Sequence, residues 1–141
     1  MAYCALTDIQ ERIPEEMLTQ LTDDAGEGAV DQEQVDAAIE RADAEIDTWC
    51  GALYRTPFSP APAIVRELSA DLAAALLYGR RGSDIPAAVQ AQAKAARDLL
   101  KAVCKGEVRL GAPVSDNSSG PSRIETSGPE RLFTRDRLKG M

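Results

Sequence analysis

The chain has 141 residues, 44% hydrophobic and 28% charged, with a formal net charge of -7. That is one domain's worth of ordinary soluble globular composition, long enough for a real core. No apolar run approaches the roughly 18 residues of a membrane span, and the start MAYCALTDIQERIPEE lacks the features of a signal peptide, so an intracellular protein with no membrane partner is expected.

Histidine is absent. Its absence removes the commonest general base, the commonest metal ligand and every Ser-His or Cys-His nucleophile pair. With no nucleophile–base pair, metal cluster or phosphate loop in the sequence, neither an enzyme nor a cofactor is expected. Cys4, Cys50 and Cys104 are odd in number, far apart and in no CxxC pair. They read as small buried hydrophobes, not as a disulfide framework.

In chain order, Thr7-Asp8-Ile9-Gln10 has the form of a capping box and opens a short helix with Ile9 and Ile13 inward. Pro14 suits the first turn of a second short helix, PEEMLTQL, with Glu15 and Glu16 at the positive end of its dipole. TDDAGEGAV is a loop. Asp23, Glu27, Gly28 and Asp31 fall at calcium-loop offsets, but Ala25 and Gln34 stand where acids are needed, so a solvated acidic turn is the better reading. Asp31 and Gln34 form a second capping box for a helix to about Leu53. Val35, Ala38, Ile39, Ala42, Ile46, Trp49 and Leu53 make its apolar stripe, with Glu40, Arg41, Asp43, Glu45 and Asp47 mostly opposite.

YRTPFSPAPA is extended, because its prolines forbid a helix. Pro62 or Ala63 begins a helix carrying Ile64, Val65, Leu68, Leu72, Ala75 and Leu76 inward, with Arg80 and Arg81 at its C-terminal dipole and Gly82 ending it. Ser83 or Asp84 caps the last helix, with Pro86 in its first turn and Gly106 as its stop. EVRL, 107–110, alternates weakly and has the pattern of a short edge strand. The fold class is therefore all-α: a small helical bundle with two short N-terminal helices, three longer ones and an extended C-terminal arm.

That arm divides in two. Residues 111–127 are rich in Gly, Ser and Pro and read as a flexible linker after a 1–110 helical domain. Residues 128–141 end in RLFTRDRLKGM, a peptide suited to docking. Leu132, Phe133 and Leu138 would fill apolar pockets, and Arg131, Arg135, Arg137 and Lys139 would pair with acidic groups of a partner. Residues 1–110 carry 11 basic and 19 acidic groups; residues 121–141 carry 5 and 3. An acidic body argues against a protein that grips DNA by its phosphates. The basic tail alone supports the alternative, a nucleic-acid-binding regulatory or DNA-packaging accessory protein.

Three stretches resemble a known family: MAYCALTDIQERIPEEMLTQLTDD, AIERADAEIDTWCGALYRTPFSPAPAIVRELSADLAAALLYGRR, and RLFTRDRLKGM. Together they look like the head–tail connector, or adaptor, proteins of Mu-like tailed phages and prophages. Trp49-Cys50 stands where an aromatic and a leucine are expected, a departure that bears on packing. The resemblance implies a structural subunit of the virion neck, assembled in the host cytoplasm. It implies a ring, usually of twelve copies, that closes the DNA-filled head. The implied partners are the portal protein, neighbouring copies and a tail-proximal connector or tail terminator, with genomic DNA passing through unbound. The C-terminal arm would dock on the portal. Trp49, Tyr54, Arg55, Pro57 and Phe58 are the candidates for a subunit interface, since aromatics and Arg are enriched there. For Tyr54 and Arg55 a turn at the core edge is an equal alternative.

Overall fold

The structure, a computed structural model, describes residues 2–82 and 84–114. Five helices occur in it: α1 (Leu6–Gln10), α2 (Glu15–Thr22), α3 (Gln32–Cys50), α4 (Ala63–Gly79) and α5 (Ala87–Cys104). The all-α reading holds, and the described residues contain no strand beyond one isolated bridge, Tyr54 with Val114.

Proline sets three of the helix starts. Pro14, Pro62 and Pro86 each sit at the N-cap with φ between -53 and -58 and ψ between 139 and 149. Proline gives up no useful N–H there. Its carbonyl accepts the first helical bond, from Leu18 at 2.8 Å, Arg66 at 3.2 Å and Gln90 at 3.0 Å. Pro14 and Pro86 thus lie one residue outside the helices they were expected to begin, and the expected cap at Ser83 or Asp84 gives way to Pro86. Asp31 caps α3 as expected, its carboxylate accepting from Glu33 N–H at 2.9 Å, without the Gln34 bonds of a full capping box.

The expected cap at Thr7 does not form. Ala5 is the N-cap, and Asp8 accepts its N–H at 2.8 Å. Asp8 is the better anchor because Arg66 grips it with Nε and Nη2, the latter at 2.6 Å. Arg12, just past α1, returns the arrangement: its Nε donates to Asp71 at 2.6 Å and its Nη2 to Glu67. Two oppositely directed arginine–carboxylate bridges therefore fasten α1 to α4.

α3 and α4 make the most extensive helix pair, and α5 packs on both. α1 and α2 lie across α4 and also touch α3. α4 is buried on most of its surface, and its Ala70, Ala73 and Ala74 let neighbours approach closely. Ile9 and Ile13, Leu18, Ile39 and Ile46, Leu72 and Leu77, and Leu100 and Val103 join in one core.

Several helix ends differ from expectation. α3 stops at Cys50, three residues short of Leu53, where Gly51 N–H turns back to Asp47 O at 2.8 Å. α4 ends at Gly79, and Gly82 lies beyond it with φ +66. Arg80 and Arg81 reach α2 instead of capping their own helix. Arg80 donates to Leu21 O at 3.0 Å, Arg81 to Asp23 O at 2.7 Å, and both pair with Asp24. They place positive charge at the negative end of α2, and they draw the Asp24 carboxyl down to about 2. Gly106, φ +80, follows α5 as expected. EVRL forms no strand: Leu110 turns inward and its N–H donates to a side chain.

Asp8 makes the bundle sensitive to acid. Arg66 hydrogen bonds hold its carboxyl below the ordinary aspartate value. The folded chain then binds fewer protons than the unfolded one, so stability rises with pH across that window. The contribution is complete above the unfolded value and is lost as pH falls through the folded one. Asp8→Asn is expected to lower the melting temperature at pH 7 and to flatten its fall between about pH 5 and pH 2. Thermal melts across that range check this; an unaltered slope contradicts it.

Candidate functional site

The N-terminal residues cross α3 and α4 before α1 begins, and Tyr3 fixes them. Its backbone N–H donates to buried Asp43 at 2.9 Å, and its hydroxyl donates to Asp47. The same hydroxyl accepts from Phe58 N–H at 3.0 Å. Ser69 of α4 donates to the second oxygen of Asp43, and Cys4 Sγ lies 3.2 Å from that serine oxygen. Burial raises the carboxyl of Asp43, the hydroxyl of Tyr3 and the thiol of Cys4. Cys50 is likewise pushed up to about 11 by burial. Among the described residues no buried side-chain nitrogen or oxygen lacks a partner, and no group of three or more acids or thiols is placed to hold a metal ion. No described helix is long and apolar enough to cross a membrane.

From Tyr3 the contacts run on through aromatic rings. Tyr3 and Phe58 have centroids 5.9 Å apart, and Phe58 and Tyr54 6.0 Å. The Tyr54 hydroxyl accepts Leu110 N–H at 2.9 Å, and Tyr54 bridges Val114. Three remote pieces meet here: the N-terminus, the proline-rich crossover and the chain leaving α5. A hollow of about 550 Å³ lies between Pro57, Phe58 and Pro60 on one wall and Gly111, Ala112 and Pro113 on the other. The path toward the C-terminal residues thus starts from a fixed point on the body, and the body's packing extends to Val114, four residues into the stretch assigned as linker.

The candidate interface set divides here. Tyr54 and Phe58 are buried in the subunit's own core, Trp49 is half-buried against it, and Arg55 and Pro57 are exposed. Within the subunit Tyr54 packs at the edge of the core. The docking residues Arg131, Leu132, Phe133, Arg135, Arg137, Leu138 and Lys139 lie outside the described residues, as does the linker from Ser115.

The body's surface separates charge. One flank of α3 forms a groove of about 610 Å³ with Asp36, Glu40, Asp43 and Asp47 in its wall. Between α4 and α5 lies a groove of about 560 Å³ bearing Lys94, Arg97 and Lys101 with one carboxylate, Asp98, beside Ala75 and Ile85. A smaller hollow of about 300 Å³ shares Ala75, Ile85 and Arg97 with it and adds Arg41 and Arg80.

Helical spacing puts Asp43 among the charges opposite the apolar stripe and gives no role to Tyr3 or Ser69. Asp43 is instead buried, and its sequence signal was its place at the edge of the apolar stripe. Tyr3 carried none, because its partners are 40 to 55 residues away.

Tyr3→Phe removes the donor to Asp47 and leaves Phe58 N–H without its acceptor. It is expected to cost about 1–3 kcal/mol in urea unfolding. Tyr54→Phe is expected to speed amide exchange at Leu110 with less effect on global stability. Equal protection at Leu110 in both proteins contradicts the anchoring role.

No curated protein matches the chain. The family model described as Bacteriophage Mu, Gp36 matches residues 3–126. The match takes in the whole described helical body and continues through the Gly/Ser/Pro-rich stretch, stopping just before the basic C-terminal peptide. Covering most of the 141 residues, it establishes that this chain belongs to the Bacteriophage Mu Gp36 family.

Proposed function

We propose that this protein is a non-enzymatic adaptor of the virion neck, forming a ring between the portal and the tail of a Mu-like phage. The observation that carries the reading is the family match across the helical body. That family makes a part in phage structure or morphogenesis the natural setting. Two physical features support the finer role. The body is strongly acidic, so a ring of such bodies would repel the DNA passing through it. The aromatic contacts at Tyr54 fix where the C-terminal residues set out, so a docking peptide beyond them would have a defined origin and reach.

In this reading the copies assemble in the host cytoplasm against the portal and close the filled head. They then present a surface to a tail-proximal connector or terminator. Residues 128–141 meet the portal: Leu132, Phe133 and Leu138 bury apolar surface, and Arg131, Arg135, Arg137 and Lys139 pair with acidic groups. A peptide that orders on docking covers much partner surface at modest affinity per area.

Electron microscopy of the purified protein mixed with its portal tests the role; absence of any complex sinks it. Deleting residues 128–141 is expected to leave helical circular dichroism and the melting temperature nearly unchanged while abolishing portal binding. Unfolding of the truncated body, or binding that survives truncation, contradicts the assignment of the tail. Duplex DNA binding that is strong and falls steeply with salt would favour the packaging or regulatory alternative.

A further inference from the structure

The acidic groove lies on one flank of α3, and the basic groove lies between α4 and α5, beyond the other flank of α3. On α3, Asp36, Glu40, Asp43 and Asp47 cluster on one side, and at helical spacing they stand about 150° from Arg41 and Glu45. Glu45 faces α5, where it pairs with Arg97 at 2.8 Å. The acidic and basic grooves of one copy therefore cannot meet each other.

The acidic groove is not neutralised from within, and the basic groove only in part, since Arg97 is paired with Glu45. None of the four carboxylates forms an ion pair with a described residue; their partners are Tyr3, Ser69 and Gln32. On the basic side, Lys94 and Arg41 pair with no described carboxylate, and Lys101 reaches only exposed Asp98 at 3.9 Å. The spacings also agree. Lys94 and Lys101 are seven residues apart on α5, as are Glu40 and Asp47 on α3, about 10.5 Å in each case.

We infer that the α4/α5 groove receives the acidic flank of α3 from a second copy of this chain. Lys94 and Lys101 then lie opposite Glu40 and Asp47, and Asp36 extends the contact. Such a contact is heterologous: each copy offers one face forward and a different one back, so it propagates and closes into a ring when the rotation permits. The inference deepens the ring reading above by naming its faces. A second copy fits better than a nucleic acid, because the basic groove is set in an acidic body and its arginine, Arg97, is already paired, as is Arg80 in the adjoining hollow.

The test uses full-length protein without portal, in sedimentation velocity at high concentration and low salt. Wild type is expected to self-associate and to dissociate as salt rises. Lys94→Glu with Lys101→Glu is expected to abolish association, and so is Asp36→Lys with Glu40→Lys, each with unchanged helical circular dichroism. All four residues are exposed, so folding should survive. Mixed in equal amounts, the single variants Lys94→Glu and Glu40→Lys exchange the charges of one facing pair and are expected to assemble again. Wild type that stays monomeric, variants that assemble alone, or a mixture that does not assemble overturns the inference. So does loss of association on deleting residues 128–141, which would make the basic tail the occupant of the acidic flank. A gain of duplex DNA binding at the Lys94 groove, abolished by the same reversals while self-association persists, would overturn it as well. These outcomes are independent of portal binding, so the contact and the neck role can fail separately.

Discussion

Asp43 is a carboxylate held inside a helical bundle, and much of the architecture follows from satisfying it. A buried charge must be hydrogen-bonded or it destabilises the fold. One oxygen of Asp43 takes the Tyr3 N–H and the other takes Ser69 of α4. Those bonds pull the N-terminal residues over α3 and align α3 with α4. Once Tyr3 is in place, its hydroxyl reaches Asp47 and the Phe58 N–H, so the crossover must fold back toward the N-terminus. Phe58 then positions Tyr54, and Tyr54 receives the chain leaving α5. The fixed departure of the C-terminal residues is the last step of a sequence of contacts that starts at one aspartate.

Much of the fold was legible from spacing and proline. The stripe from Val35 through Ile46 gave α3, and the prolines before α4 and α5 marked their starts to within a residue or so. Local backbone chemistry decides such features, and local chemistry is written in short windows of sequence. Thr7 misled because a capping box describes only the helix, whereas Asp8 is also held by Arg66, 58 residues away. Arg80 and Arg81 misled for a similar reason: their place at the end of α4 was clear, but their use at the end of α2 depends on how the helices cross. EVRL alternates like a strand, yet alternation needs a partner edge, and among the described residues the single bridge, Tyr54 with Val114, lies outside EVRL.

The candidate site was legible in a different way. Two of its aromatic residues, Tyr54 and Phe58, stand close together in the chain and their rings meet in space, whereas the third, Tyr3, has no signal in the sequence. Tyr54 and Phe58 serve the inside of the subunit, where their rings tie remote segments together, while Arg55 and Pro57 face outward. Charge separation was visible only as a contrast between body and tail. The finer separation, between the two flanks of α3, emerges only when α5 is laid beside it. Charge of this kind gives orientation and partner choice more than affinity, which suits a subunit that must assemble in one sense around a ring.

A cryo-EM map of the neck of the assembled phage particle tests the account most directly. The account expects this chain as a ring on the portal, with the acidic flank of α3 facing the α5 lysines of the next copy and residues 128–141 seated on the portal. Its absence from the neck, or a ring built through other faces with the C-terminal residues away from the portal, would contradict it.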